Sequence, residues 1–157
     1  MLLDELYAQS RGGKLAVQPF VYVFTWNTLA ASAAAQQVTT NISNDADFIV
    51  RAVTGKAYSA AGVPVVDPDY LIQFQDLGSG RNFQSATMHW GNVVGTAENP
   101  YMMPEPWLVY GGGSVVATLT NNTALAARVD LSFNGYKVKY LSGYSREEFI
   151  RKAGLWR

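Results

Sequence analysis

His89 is the single imidazole in a chain without cysteine, so any general base, zinc site or activated nucleophile has to be built around it or without it. It stands beside Trp90, just ahead of a Gly-rich stretch. With no thiolate and no second imidazole, it cannot gather the ligand set that zinc requires. Composition leaves a Ser-His-Asp triad open, but there is no G-x-S-x-G elbow, and Gly78-Ser79-Gly80 reads as a turn. Asn44, Asp45 and Asp47 place three oxygen-bearing side chains in four positions. That density suits calcium, but the further acidic ligands of a calcium loop are missing, and Asx residues are ordinary at hairpin turns. Glu147 and Glu148 are adjacent on an expected helix and point in different directions, which denies them an acid–base partnership. Gly111-Gly112-Gly113-Ser114 leads into a strand and not a helix, so it offers no helix N-terminus to a phosphate. The aromatic residues Trp90, Tyr101 and Trp107, in or beside one long loop, form a carbohydrate platform if they share an exposed face; otherwise they fill the core edge or a subunit contact. These residues point away from catalysis, from a metal and from a cofactor.

The elements around them are mostly strands. In Val115–Val138 the apolar residues Val129, Leu131 and Phe133 alternate with Arg128, Asp130, Ser132 and Asn134, the period-two signature of a half-buried strand. Val115, Ala117 and Leu119 alternate upstream, and Asn121-Asn122-Thr123 joins the two as a turn, so a hairpin is expected. A strand over Val17–Trp26 has Phe20, Tyr22, Phe24 and Trp26 on one face and Val21 and Val23 on the other, and is expected to be buried on both sides. The Ala-rich run before Val38, Thr40 and Ile42 is read as strand from about Ala34. After the turn at Asn44-Asp45, Asp47–Thr54 completes a second expected hairpin. Tyr70, Ile72 and Phe74 alternate again, and a short strand is expected over Phe83–Thr87. Residues 90–106 carry Gly91, Gly95, Pro100, Pro104 and Pro106, and read as a long surface loop ending in a short strand, Trp107–Tyr110. Lys137–Leu141 continues or closes the sheet. Ser145-Arg146-Glu147-Glu148 fits a capping box, predicting a helix from Arg146 to about Ala153, stopped by Gly154.

About eight short strands with helix confined to the ends imply an all-β, antiparallel β-sandwich of jelly-roll type, with a closed barrel or an immunoglobulin-like sandwich as alternatives. Three segments are expected: residues 1–14 as an N-terminal arm, 15–142 as the sandwich, and 143–157 as a C-terminal helix and tail. Twelve basic and twelve acidic residues cancel, which removes the electrostatic footprint of a nucleic-acid binder. No stretch is apolar for long enough to cross a membrane as a helix, and the acidic start of the chain does not read as a secretion signal. Charged residues make up 15% of the chain, against roughly 25% in typical soluble domains. Either Ser, Thr, Asn and Gln supply the polar surface, or much of that surface is covered by other subunits.

The order of AQQVTTNISNDADFIVRAV, DYLIQFQDLGSGRNFQSA, NPYMMPEPWLVYGGGSVVATLTN and ARVDLSFNGYKV resembles that in the small β-sandwich head decoration, or cement, proteins of tailed bacteriophages. The likeness spans about residues 17 to 140. It implies a non-enzymatic virion protein, made in the host cytoplasm, that binds the major capsid protein on the outer surface of the shell and stabilises it, associating with itself as a homotrimer. Neck, collar and fibre proteins of the virion, and carbohydrate-binding sandwich modules, are the alternatives. Interface candidates are the apolar residues of the two ends, Leu2, Leu3, Leu6, Tyr7, Leu155 and Trp156, together with Trp90, Tyr101 and Trp107.

Overall fold

Alternation governs burial wherever a strand has one face on the core. Tyr70, Ile72, Phe74 and Asp76 are buried along one strand while Leu71, Gln73 and Gln75 between them are partly open, and Val129, Leu131 and Phe133 are fully buried along another. The computed structural model describes residues 2–32, 34–141 and 143–153, apart from the side chains of residues 2, 3 and 5. Its elements are α1 (Leu2–Arg11), β1 (Leu15–Leu29), β2 (Gln36–Asn41), β3 (Asp47–Ser59), β4 (Pro64–Val65), β5 (Tyr70–Asp76), β6 (Arg81–Asn82), β7 (Met88–His89), a 3-10 turn (Trp90–Asn92), β8 (Tyr101–Val109), β9 (Ser114–Asn121), β10 (Ala127–Tyr140) and α2 (Arg146–Ala153). The helix expected over Arg146–Ala153 is present. Its N-cap Ser145 accepts the Glu148 amide at 3.1 Å, while the Glu148 carboxylate turns to Lys152 one turn on, at 2.9 Å. Gly154, the expected stop, lies outside the described residues.

Strand pairing gives the topology. β1 pairs with β10, β2 with β9, β3 with β8, and β5 with β6 and β7, all antiparallel. The chain is therefore one long hairpin whose outgoing and returning strands are nested. It is rolled up so that β10 also meets β3 and β9 also meets β5. One sheet has the order β1-β10-β3-β4 with β8 also on β3, and the other the order β2-β9-β5-β6 with β7 also on β5. Nested pairing rolled into two facing sheets is the jelly roll, so the expected sandwich is the one found.

Both expected hairpins are corrected by this topology. β9 and β10 belong to different sheets, as do β2 and β3, so the chain arches across the sandwich at each connection. After β9, Asn121 is buried and holds the arch: its amide nitrogen donates to the Leu125 carbonyl at 2.9 Å, and its oxygen accepts the Thr123 amide and hydroxyl at 2.9 and 2.7 Å. Sheets pack ~10 Å apart, a gap that a tight two-residue turn does not span. The strands are also longer than expected, with 15 residues in β1, 13 in β3 and 14 in β10. Residues 83–87 form no strand and separate the two-residue strands β6 and β7.

The expected loop over 90–106 is overturned in its second half. β8 begins at Tyr101 and pairs with β3 at both ends, Tyr101 with Val53 and Met102 with Ala52, then Trp107 with Val50. Between them Met103-Pro104-Glu105-Pro106 arches away from the ladder. The prolines have no N–H to donate, which suits them to this unpaired arch.

The main core lies between the sheets and includes Phe24, Phe48, Phe74, Leu119 and Phe133. A second, smaller core lies on the opposite face of the first sheet. Leu15, Ile49 and Val138 alternate with inward-facing residues of β1, β3 and β10, and they pack beneath Leu6 of α1 and Phe149 and Ala153 of α2. The segment expected as a free arm is thus a helix seated on the sheet, with Leu6 only 2% exposed.

Candidate functional site

The outer face of the first sheet is only partly covered. Along β1 the outward residues run Leu15, Val17, Pro19, Val21, Val23. The first two lie in the helix-covered core, whereas Pro19 is exposed and Val21 and Val23 are 47% and 52% exposed. The expectation that this strand is buried on both sides is corrected here: the row continues past the end of the two helices. No residue of β1 carries a charge, so the open half of the row is apolar on an uncharged strand.

A depression of about 510 Å³ lies beside this row, lined by Pro19, Val21, Arg51, Ala52, Gly135 and Tyr136 among others. A bulge builds it. Asn134 pairs with Ala52 and Gly135 with Val50, leaving Arg51 as the extra residue of β3. Gly135 is required opposite, because a Cβ there would run into the Ile49 carbonyl oxygen. The strand edge is less available than the face. The Thr40 hydroxyl donates to the Val23 carbonyl at 3.0 Å, and the Trp26 indole N–H donates to the Gln36 carbonyl at 3.2 Å. β2 therefore closes part of the β1 edge, and what β1 offers a partner is its side chains.

The buried polar side chains among the described residues, Asp47, Asp76 and Asn121, all hold loops and termini. Asp47 accepts from Arg146 Nε and Nη2 at 2.7 and 2.6 Å, from the Tyr140 hydroxyl at 2.9 Å and from the Gly111 amide at 2.7 Å. It ties α2, the end of β10 and the β8–β9 turn to the start of β3. Burial, and then the charge and hydrogen bond of Asp47, push the Tyr140 hydroxyl far above its ordinary pKa. For Arg146, burial alone favours loss of the proton, but the bond to Asp47 and its charge outweigh it and the pKa rises. Asp47 is thus engaged internally and does not join Asn44 and Asp45 in a calcium loop. Asp76 accepts from the Gly78 amide at 2.9 Å and the Ser79 hydroxyl at 2.6 Å, so Gly78-Ser79-Gly80 is the expected turn.

The residues nominated from sequence fall in different places. Leu6 is internal and Tyr7 is 57% exposed; Leu155, Trp156 and the side chains of Leu2 and Leu3 lie outside the described residues. Trp90 is buried, edge-on to Tyr70 with ring centroids 6.0 Å apart. Trp107 stacks on Phe83 at 4.0 Å and 7° and shares a cleft with Tyr101. Two of the three aromatics therefore line one cleft and the third stays in the core, so they form no common exposed platform. His89 accepts the Gly91 amide on Nδ1 at 3.3 Å and thereby caps the 3-10 turn. Its Nε2 lies 3.6 Å from Asp69. Sequence reasoning missed the Val21–Val23 surface, although its signal was present: an alternating strand with apolar residues on both faces and no charge. The sequence matches no protein-family model and no curated protein.

Proposed function

We propose that the protein is a non-enzymatic structural component of a bacteriophage virion, which docks on the outer surface of the capsid, associates with copies of itself as a trimer and stabilises the shell. The observation that carries this reading is the apolar row of β1, covered by the protein's own helices at Leu15 and Val17 and left open at Pro19, Val21 and Val23. An apolar strip that its own fold covers only halfway is suited to a protein partner. The buried acids agree with a scaffold role, since each is consumed in positioning a loop or terminus. The burial of Trp90 weighs against a carbohydrate platform.

The test is a mass measurement in solution, followed by co-sedimentation with expanded phage capsids that lack a decoration protein. A trimer retained on capsids is expected, and Val21→Asp with Val23→Asp should abolish retention. A strict monomer that no capsid retains would overturn the reading.

A further inference from the structure

Where Met103-Pro104-Glu105-Pro106 arches off β3, it roofs a cleft of about 400 Å³ at the margin of the two sheets. Phe74 and Val53 contribute to the wall from the two sheets. Phe83 and Trp107 contribute a stacked pair, and Met88 and Met103 also line the space. Gln84 and Tyr101 are the neutral polar residues of the lining, and Gln84 is the one with an unused donor. Gln84 lines the cleft, its Oε1 accepts the Phe74 amide at 2.9 Å, and its Nε2 is buried with no hydrogen-bond partner among the described residues. The Phe74 N–H fixes which end of the amide is which, because a flipped side chain would set donor against donor. A buried amide N–H without an acceptor is unfavourable until something supplies one.

We propose that this cleft binds a small, uncharged aromatic molecule bearing one carbonyl or hydroxyl oxygen, with the ring among Phe83, Trp107 and the methionines and the oxygen accepting from Gln84 Nε2 as neighbouring side chains shift to uncover it. The volume is in the range of small-molecule sites, which combine apolar walls with a few placed polar groups. Methionine thioethers pack well on aromatic rings and can reshape around a guest. Glu105, exposed at the rim, disfavours an anion. A roofed space at the sheet margin suits a compact guest better than an extended chain. The site is separate from the β1 surface and does not depend on its role.

The experiment uses the intact protein with methyl-labelled methionine and labelled glutamine side chains, titrated with acetophenone and with ethylbenzene, which lacks the oxygen. Saturable shifts are expected at Met88, Met103 and the Gln84 amide, with acetophenone binding about tenfold more tightly than ethylbenzene. Gln84→Met should reduce that preference to about twofold or less. Because Gln84 also receives the Phe74 amide, a second variant, Met88→Trp, fills the cleft from its rim and should abolish both titrations with the fold intact. Absence of saturable shifts, shifts centred on the exposed Met102, or a preference for acetophenone that survives Gln84→Met would each overturn the proposal. So would occupancy of the Gln84 donor by a bound water that acetophenone does not displace.

Discussion

Asp47 shows how much one side chain can organise without any reaction. Its carboxylate has no exposed surface, while the Arg146 side chain is 38% exposed, so water screens part of the pair. Removing the arginine strands a buried charge, a change that costs about 3 kcal/mol at the lower end of the range for buried pairs. Urea unfolding of Arg146→Ala should show that loss, with the α2 amides exchanging faster. Tyr140 gives the pair a pH signature. Its folded pKa is raised above the ordinary value of 10.0 by burial, the Asp47 charge and the Asp47 hydrogen bond. Above that value the unfolded chain loses the phenol proton while the native protein keeps it, so stability is fully present below about pH 10 and declines as pH rises further. Tyr140→Phe should flatten the alkaline limb of the stability curve; an unchanged limb would show that other groups set it. The arginine lies 99 positions from its acid, a pairing that no local spacing announces. From sequence, Asp47 was legible only as one of several Asx residues at a turn.

β10 was the most legible element, because its alternation is strict and its inner row is large. Phe133 touches Phe24 and Phe74 edge-on with ring centroids 4.9 Å apart in each case, and Trp107 at 6.2 Å, bridging both sheets. Phe133→Ala should therefore cost roughly 3–5 kcal/mol, and Ser132→Ala, on the outward row, under about 0.5 kcal/mol. Equal midpoint shifts in denaturant would contradict this orientation. What alternation could not reveal is the partner strand. A strand that turns back beside its neighbour and one that crosses to the facing sheet present the same inward row, which is why β9–β10 and β2–β3 read as hairpins. β8 was obscured for another reason. Pro104 and Pro106 argue against a continuous ladder, and they are right about their own positions, but paired segments at Tyr101–Met102 and from Trp107 onward resume on either side.

At the scale of the molecule, the two helices cover one half of the β1 row and leave the other half open, and the proposed function gives the first to stability and the second to association. Leu6 lies in the second core with Phe149 and Ile49, so the apolar N-terminus contributes to folding; its composition cannot distinguish that from an assembly arm, because either role calls for the same leucines. Loss of one fully buried leucine contact costs about 1.5–3 kcal/mol. In a domain of this size each kcal/mol moves the melting temperature by about 2–4 °C. Deletion of residues 1–12 should therefore lower it by roughly 3–12 °C. Val21→Asp with Val23→Asp acts on side chains already half in water, and should leave the melting temperature of the monomer within a few degrees. If the open row is the docking surface, sedimentation will separate the two changes: the deletion gives a less stable protein that still associates, and the double substitution a stable one that does not. A deletion that dissociates the oligomer while the double substitution leaves it whole would return the interface to the chain ends and leave Val21 and Val23 as ordinary exposed valines.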